Sequence, residues 1–208
     1  MIHLSTLTRS LAVATIGLLG MAPGAVAGPP SPQDLNPPPP DFYDCRTLGA
    51  VTLCTGLVHE IKVSEEQPEL VCGSGPDAFT IHDNGIVDQS WTRWYNADGY
   101  LTKRVVQERW SDTFWSNPLT GKTVTYTQRA TFTTSLAVPG DFASATETTV
   151  GENIYTDPAT RKQVLRSVGR TVFGADGNLE SQAGQQPFID AFIDGDMSVF
   201  DPICAALG

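Results

Sequence analysis

The chain has 208 residues, with 13 Lys and Arg against 23 Asp and Glu, a formal charge of −10 at neutral pH. That length suits a single domain of ordinary size. An acidic composition without basic clusters argues against nucleic acid and anionic membrane as partners, because both are bound through concentrated Lys and Arg.

Met1–Ser10 carries one charge, Arg9, and leads into the apolar run Leu11–Met21 and a small-residue segment ending Ala25-Val26-Ala27. This is the layout of a secretory signal peptide with an A-x-A cleavage site. The apolar run is shorter than the roughly 20 residues a membrane-spanning helix needs, and no cysteine lies near it to accept a lipid. We therefore expect residues 1–27 to be removed after Ala27 and the chain to be secreted without a membrane anchor. Only Arg9 would be lost among the Asp, Glu, Lys and Arg residues, leaving a mature charge of −11.

Residues 28–41 follow as a proline-rich stretch, with seven prolines among the thirteen residues Gly28–Pro40. Such a composition predicts an extended, solvated polyproline-like spacer. The folded domain is then expected over 42–208.

The four cysteines are Cys45, Cys54, Cys72 and Cys204. An even count in an exported chain points to disulfides, and four cysteines allow three connectivities. The favoured one is Cys45–Cys54 with Cys72–Cys204, because the segment between the first two can fold back around Gly49. The pairing Cys54–Cys72 with Cys45–Cys204 is nearly as good. Close C-x-x-C pairs of the zinc-binding kind are absent, and no metal or cofactor is expected.

From Val51 to about Ser181, runs of β-branched and aromatic residues alternate with turn signals. The predicted strands are Gly56–Ser64, Ala78–His82, Ile86–Asn96, Tyr100–Trp110, Thr113–Asn117, Lys122–Thr134, Ala145–Tyr155, Gln163–Phe173 and Leu179–Gln182. Turns are expected at Asp83-Asn84-Gly85, Asn96–Gly99, Asn117–Gly121, Val138–Asp141 and Ala175–Asn178, where Asn-Gly and Asp-Gly supply positive φ. The run Lys122–Thr134 alternates with a period of two, Val124, Tyr126, Ala130 and Phe132 on one face against Thr and Arg on the other. Strands polar on both faces, such as Gln163–Phe173, suit a curved surface. The predicted fold class is mainly β: an antiparallel meander forming a curved sheet or up-and-down barrel of about eight strands, with short C-terminal helices. One helix is expected over Pro187–Asp194, stopped by Gly195, and a second short turn begins at Asp201-Pro202.

Motifs for chemistry are scarce. His59 and His82 fall on predicted strands without partners at metal spacing, and no nucleophile elbow, zinc-protease motif or phosphate-binding loop is present. The aromatic cluster Trp91, Trp94, Tyr95, Trp110 and Trp115, with Arg93, is the candidate ligand-binding set. On a strand, Trp91, Arg93 and Tyr95 share one face and Trp94 takes the other. Tryptophans on both faces cannot all fill one core, so one set is free to line a cavity or an exposed patch that stacks on a sugar ring or an apolar ligand.

The stretches Cys45–Gly56, Trp94–Gly99, Asn117–Val124, Leu136–Phe142 and Cys204–Leu207 resemble those of uncharacterised small secreted β-rich proteins of actinobacteria. The resemblance implies export and a β fold. It carries no activity, cofactor or catalytic residue.

Two functions are left for a chain of this kind. The preferred one is a non-enzymatic binding or cell-surface accessory module with an aromatic-lined pocket or face, holding an unknown small molecule or a cell-envelope component. The other is a small-barrel enzyme acting on a hydrophobic or sugar ligand, with Arg166, Arg170, Glu108 and His59 converging on one lumen as its acid–base groups.

Overall fold

A computed structural model describes residues 30–208; the predicted signal peptide lies outside them. Eight strands form one antiparallel sheet in sequential order: β1 (Tyr43–Leu48), β2 (Val51–Cys72), β3 (Phe79–Tyr95), β4 (Leu101–Ser116), β5 (Thr123–Leu136), β6 (Ala145–Asp157), β7 (Lys162–Phe173) and β8 (Leu179–Gln185). The ladder runs from β1 to β8 and does not return to β1, so the meander is an open sheet rather than a closed barrel. Two short helices close the chain, α1 (Pro187–Asp194) and α2 (Asp201–Leu207).

The turn chemistry acts where the sequence places it in four of the five cases. Gly99 and Gly177 hold φ of 82° and 76° in the connections β3–β4 and β7–β8. These are backbone values that glycine reaches without a Cβ clash. The fifth expected turn, Asp83-Asn84-Gly85, is a correction: these residues lie inside β3, which runs unbroken through both predicted segments. Asp83 is buried and accepts the Tyr126 hydroxyl at 2.8 Å. At Gly85 a Cβ would stand 2.7 Å from Thr113 Cγ2. The triplet is explained by distant neighbours rather than by local turning.

The predicted break between Trp110 and Thr113 is likewise a bulge within β4, marked by Asp112 at φ 50° and a register shift against β5. A bulge inserts one residue and shifts the phase of the side chains. Trp110 and Trp115, five apart, therefore both face inward. A similar irregularity at Val58–Ile61, with Glu60 at φ 54°, bends β2.

One face of the sheet is covered at both ends. At one end α1, α2 and the turn Met197–Phe200 pack on a core containing Ile81, Trp115, Val124, Tyr126 and Tyr155. Ile203 and Leu207 of α2 are fully buried there, and Cys72–Cys204 ties the helix to β2. At the other end Leu35, Cys54, Tyr95, Leu101 and Leu136 form a second core. The bridge Cys45–Cys54 joins directly opposite residues of β1 and β2 there. The connectivity is the one favoured from the sequence, and the described chain has no free cysteine.

The expected solvated spacer needs correction at Leu35 and Asn36. Leu35 is 2% exposed, and Asn36 bonds through its backbone to Gly99 and Leu101 at 2.8 and 2.9 Å. One leucine among prolines gives no periodic signal, yet it fills the end of the sheet because that end presents an apolar socket of the right size.

Candidate functional site

Between the two cores the inner face of the sheet is neither filled nor fully exposed. Strand pairing sets its rows of side chains. One row reads Gly56, Trp91, Val106, Phe132, Thr149, Thr171; the next reads Val58, Gln89, Glu108, Ala130, Gly151, Gly169, Gly184. The second row loses its side chains across β5–β8. A Cβ on Gly151 would stand 2.7 Å from the Arg129 carbonyl oxygen, and one on Gly169 would strike the Ala183 carbonyl. Glycine in a strand interior marks such a close backbone approach. The sheet bends tightly there, and its bare backbone floors a trough.

The trough has two adjoining compartments that share Phe132 and Thr149. One, of about 290 Å³, is walled by Trp91, Val106, Glu108, Arg104 and Glu147. The other, of about 230 Å³, runs between Gln128, Asn153, Ser167 and Phe173 and is closed by Gln186, Phe188 and Ile189 at the start of α1. Together they approach the size of sites that hold small molecules.

Polar groups in the first compartment are linked. Gln89 Nε2 donates to Glu108 Oε1 at 2.7 Å, the Trp110 indole N–H donates to Glu108 Oε2 at 3.1 Å, and the Trp91 indole N–H donates to Gln89 Oε1 at 3.2 Å. The Gln89 amide and the Trp110 indole thus hold the carboxylate in a fixed orientation, and the Trp91 indole holds the amide. Further along the same face Arg104 donates to Thr134 Oγ1 at 3.0 Å and lies 3.6 Å from Glu147. In the second compartment the Asn153 side-chain oxygen is buried without a hydrogen-bond partner.

The six sequence-predicted residues separate into three environments. Trp91 walls the first compartment, and Trp110 reaches it through its hydrogen bond to Glu108. Arg93 faces inward at the neighbouring core, 5.1 Å from the Tyr43 ring and donating to the Pro38 carbonyl and Tyr95 hydroxyl oxygens. Tyr95 is fully buried there and donates to the Pro37 carbonyl oxygen at 2.9 Å. Trp115 is buried in the helix-covered core, its ring 4.6 Å from Tyr155. Trp94 points outward, beneath Lys103. Sequence reasoning missed Gln89, Phe132, Asn153 and the glycine row; only the in-strand glycines carry a local signal.

Beneath the trough lies a buried acid. Burial pushes the Asp83 carboxyl above the ordinary carboxylate range, partly offset by the Tyr126 hydrogen bond, while Glu65 directly opposite on β2 adds to the rise. The Trp115 indole N–H lies near the same carboxyl but outside hydrogen-bond geometry, and it has no other partner. Tyr126 and Tyr155 are both raised, first by burial.

The acid–base set expected for a lumen enzyme does not assemble. Arg166 and Arg170 lie on the outer face, and His59 is exposed at a bulge, 3.3 Å from Asp88. Only Glu108 enters the trough. The larger depression, about 710 Å³, lies over the same glycine row and is flanked by the outer-face residues Arg109, Arg129, Glu152 and Arg170. It is wide open, and its side chains are mixed in charge, with Arg129 opposite Glu152 on one side and Arg109 on the other. Among the described residues no three His, Cys, Asp or Glu side chains gather at metal-binding spacing, and no helix is long and apolar enough to cross a membrane.

A scan against protein-family models finds no matching family. No curated protein and no solved structure matches the chain.

Proposed function

We propose that the chain is an exported, non-enzymatic binding module that holds a small amphipathic molecule in the inner-face trough, serving as a carrier or a cell-envelope accessory. The carrying observation is the unfilled space between two closed cores, walled by Trp91 and Phe132 and equipped with the oriented Gln89–Glu108–Trp110 network. Aromatic walls with a few fixed polar groups are the ordinary make-up of small-molecule sites. Export is supported by the pattern of residues 1–27 and by the two disulfides, which persist in oxidising compartments. The binding reading is better supported than the enzymatic one because Glu108 stands without the Arg and His expected beside it.

The test is native mass spectrometry of protein recovered from culture medium, followed by displacement of a solvatochromic dye. Wild type is expected to bring a ligand or to bind the dye. Thr149→Trp, which fills the wall common to both compartments, is expected to weaken dye binding by about tenfold or more without lowering the unfolding midpoint. Unchanged binding in that variant would place the site elsewhere.

A further inference from the structure

The trough reading leaves the charge of its ligand open, and the inference drawn here rests on that reading. We infer that the ligand carries a cationic ammonium group, which docks on Glu108 beside Trp91. The register supplies the first reason. On the inner face Glu108 stands opposite Gln89 on one side and Ala130 on the other, with Val106 and Trp110 two residues away along its own strand. No Lys, Arg or His occupies any of these positions. The donors that do reach the carboxylate, Gln89 Nε2 at 2.7 Å and Trp110 Nε1 at 3.1 Å, are neutral. They orient the negative charge without cancelling it.

A carboxylate has about four acceptor positions, so the two contacts leave capacity for an incoming donor. The other charged residues lining this compartment, Arg104 and Glu147, lie 3.6 Å apart and offset one another; Arg93, opposite Arg104 on the inner face, is turned to the Tyr43 ring and the Pro38 carbonyl at the neighbouring core. Arg104 is four residues from Glu108 along β4, about 13 Å at the usual strand rise, too far to serve as its counter-ion. The compartment is thus left with Glu108 as a negative charge without a counter-ion, beside Trp91, a residue type whose ring face attracts cations. The net charge of −10 works in the same direction by raising the local concentration of cations. An apolar body attached to the ammonium would lie along Val106 and Phe132 toward the glycine-floored compartment.

Three probes of equal chain length separate the possibilities: decylammonium, decanol and decanoate. Their affinities are read by dye displacement below their aggregation concentrations. The ammonium probe is expected to bind about tenfold tighter than decanol, with decanoate weakest, and the gap is expected to shrink as salt rises. Glu108→Gln removes the charge at nearly constant shape and is expected to abolish the preference of the ammonium probe over decanol. Glu66→Gln removes the same charge from an exposed outward position of β2 and is expected to preserve the preference. Equal binding of all three probes, still blocked by Thr149→Trp, would overturn the cationic ligand and leave the trough standing. A preference that survives Glu108→Gln, or falls equally in Glu66→Gln, would also overturn it. Failure of every probe to bind would remove both.

Discussion

The two disulfides make a quantitative prediction because they close loops of very different size. Cys72 and Cys204 are 132 residues apart, whereas Cys45 and Cys54 are 9 apart. In the chain-entropy description, the first bridge restricts the unfolded chain by about 5 kcal/mol and the second by about 2.5 kcal/mol. Native packing sharpens the comparison. Cys54 and Cys72 are both almost fully buried, so replacing either pair by alanine removes a buried sulfur in each case. What differs is the loop, and the fact that Cys45 and Cys54 already face each other across paired strands. The double variant Cys72→Ala/Cys204→Ala is therefore expected to lose roughly 2 kcal/mol more than Cys45→Ala/Cys54→Ala. Urea unfolding of both variants beside wild type, with matched m-values, measures this. Equal losses, or a larger loss at Cys45–Cys54, would refute the argument that the bridge to α2 acts mainly on the unfolded chain.

Leu35→Ala is expected to destabilise the protein by about 2–5 kcal/mol, the range for a buried leucine; equilibrium unfolding checks it, and a loss under 0.5 kcal/mol would mean the segment docks without bearing on the core. Asp83 gives a pH signature. Its carboxyl titrates higher folded than unfolded, so its stabilising contribution is complete below the unfolded value near 4 and is lost as pH rises through the raised folded value. Asp83→Asn, which keeps an acceptor for the Tyr126 hydroxyl, is thus expected to gain stability relative to wild type between pH 4 and 7. Unfolding free energies that run parallel across that range would show that Asp83 is not desolvated.

The strand order was legible because the local signals and the global fold agree over most of the chain. The period-two run of β5 needs one covered face, and the Asp-Gly turns at Gly99 and Gly177 return each strand beside its predecessor, so an antiparallel meander follows from nearest-neighbour information. Tyr43–Leu48 is not among the expected strands and β2 runs on to Cys72, past the expected end at Ser64; the other disagreements include places where a residue answers to a distant partner. Asp83-Asn84-Gly85 has turn composition, yet Asp83 is held by Tyr126, 43 residues away, and Gly85 by the approach of Thr113. Leu35 is read as spacer until the socket made by Tyr95, Leu101 and Leu136 exists.

The site divides along the same line. Trp91 announces itself as an aromatic on an amphipathic strand. Glu108, on a strand of poor alternation, is one of many acids until the register sets it against Gln89 and Ala130. Trp110 and Trp115 join one face only because a bulge at Asp112 shifts the phase between them, and no propensity marks that residue. The trough itself exists because Ala130, Gly151, Gly169 and Gly184 fall in one row across four strands. Each glycine alone reads as a weak point in a strand; only the alignment of three glycines and one alanine leaves a space. A space made by omission is hard to find in a sequence for that reason, and the proposed ligand is read from the charge that borders the space rather than from any motif.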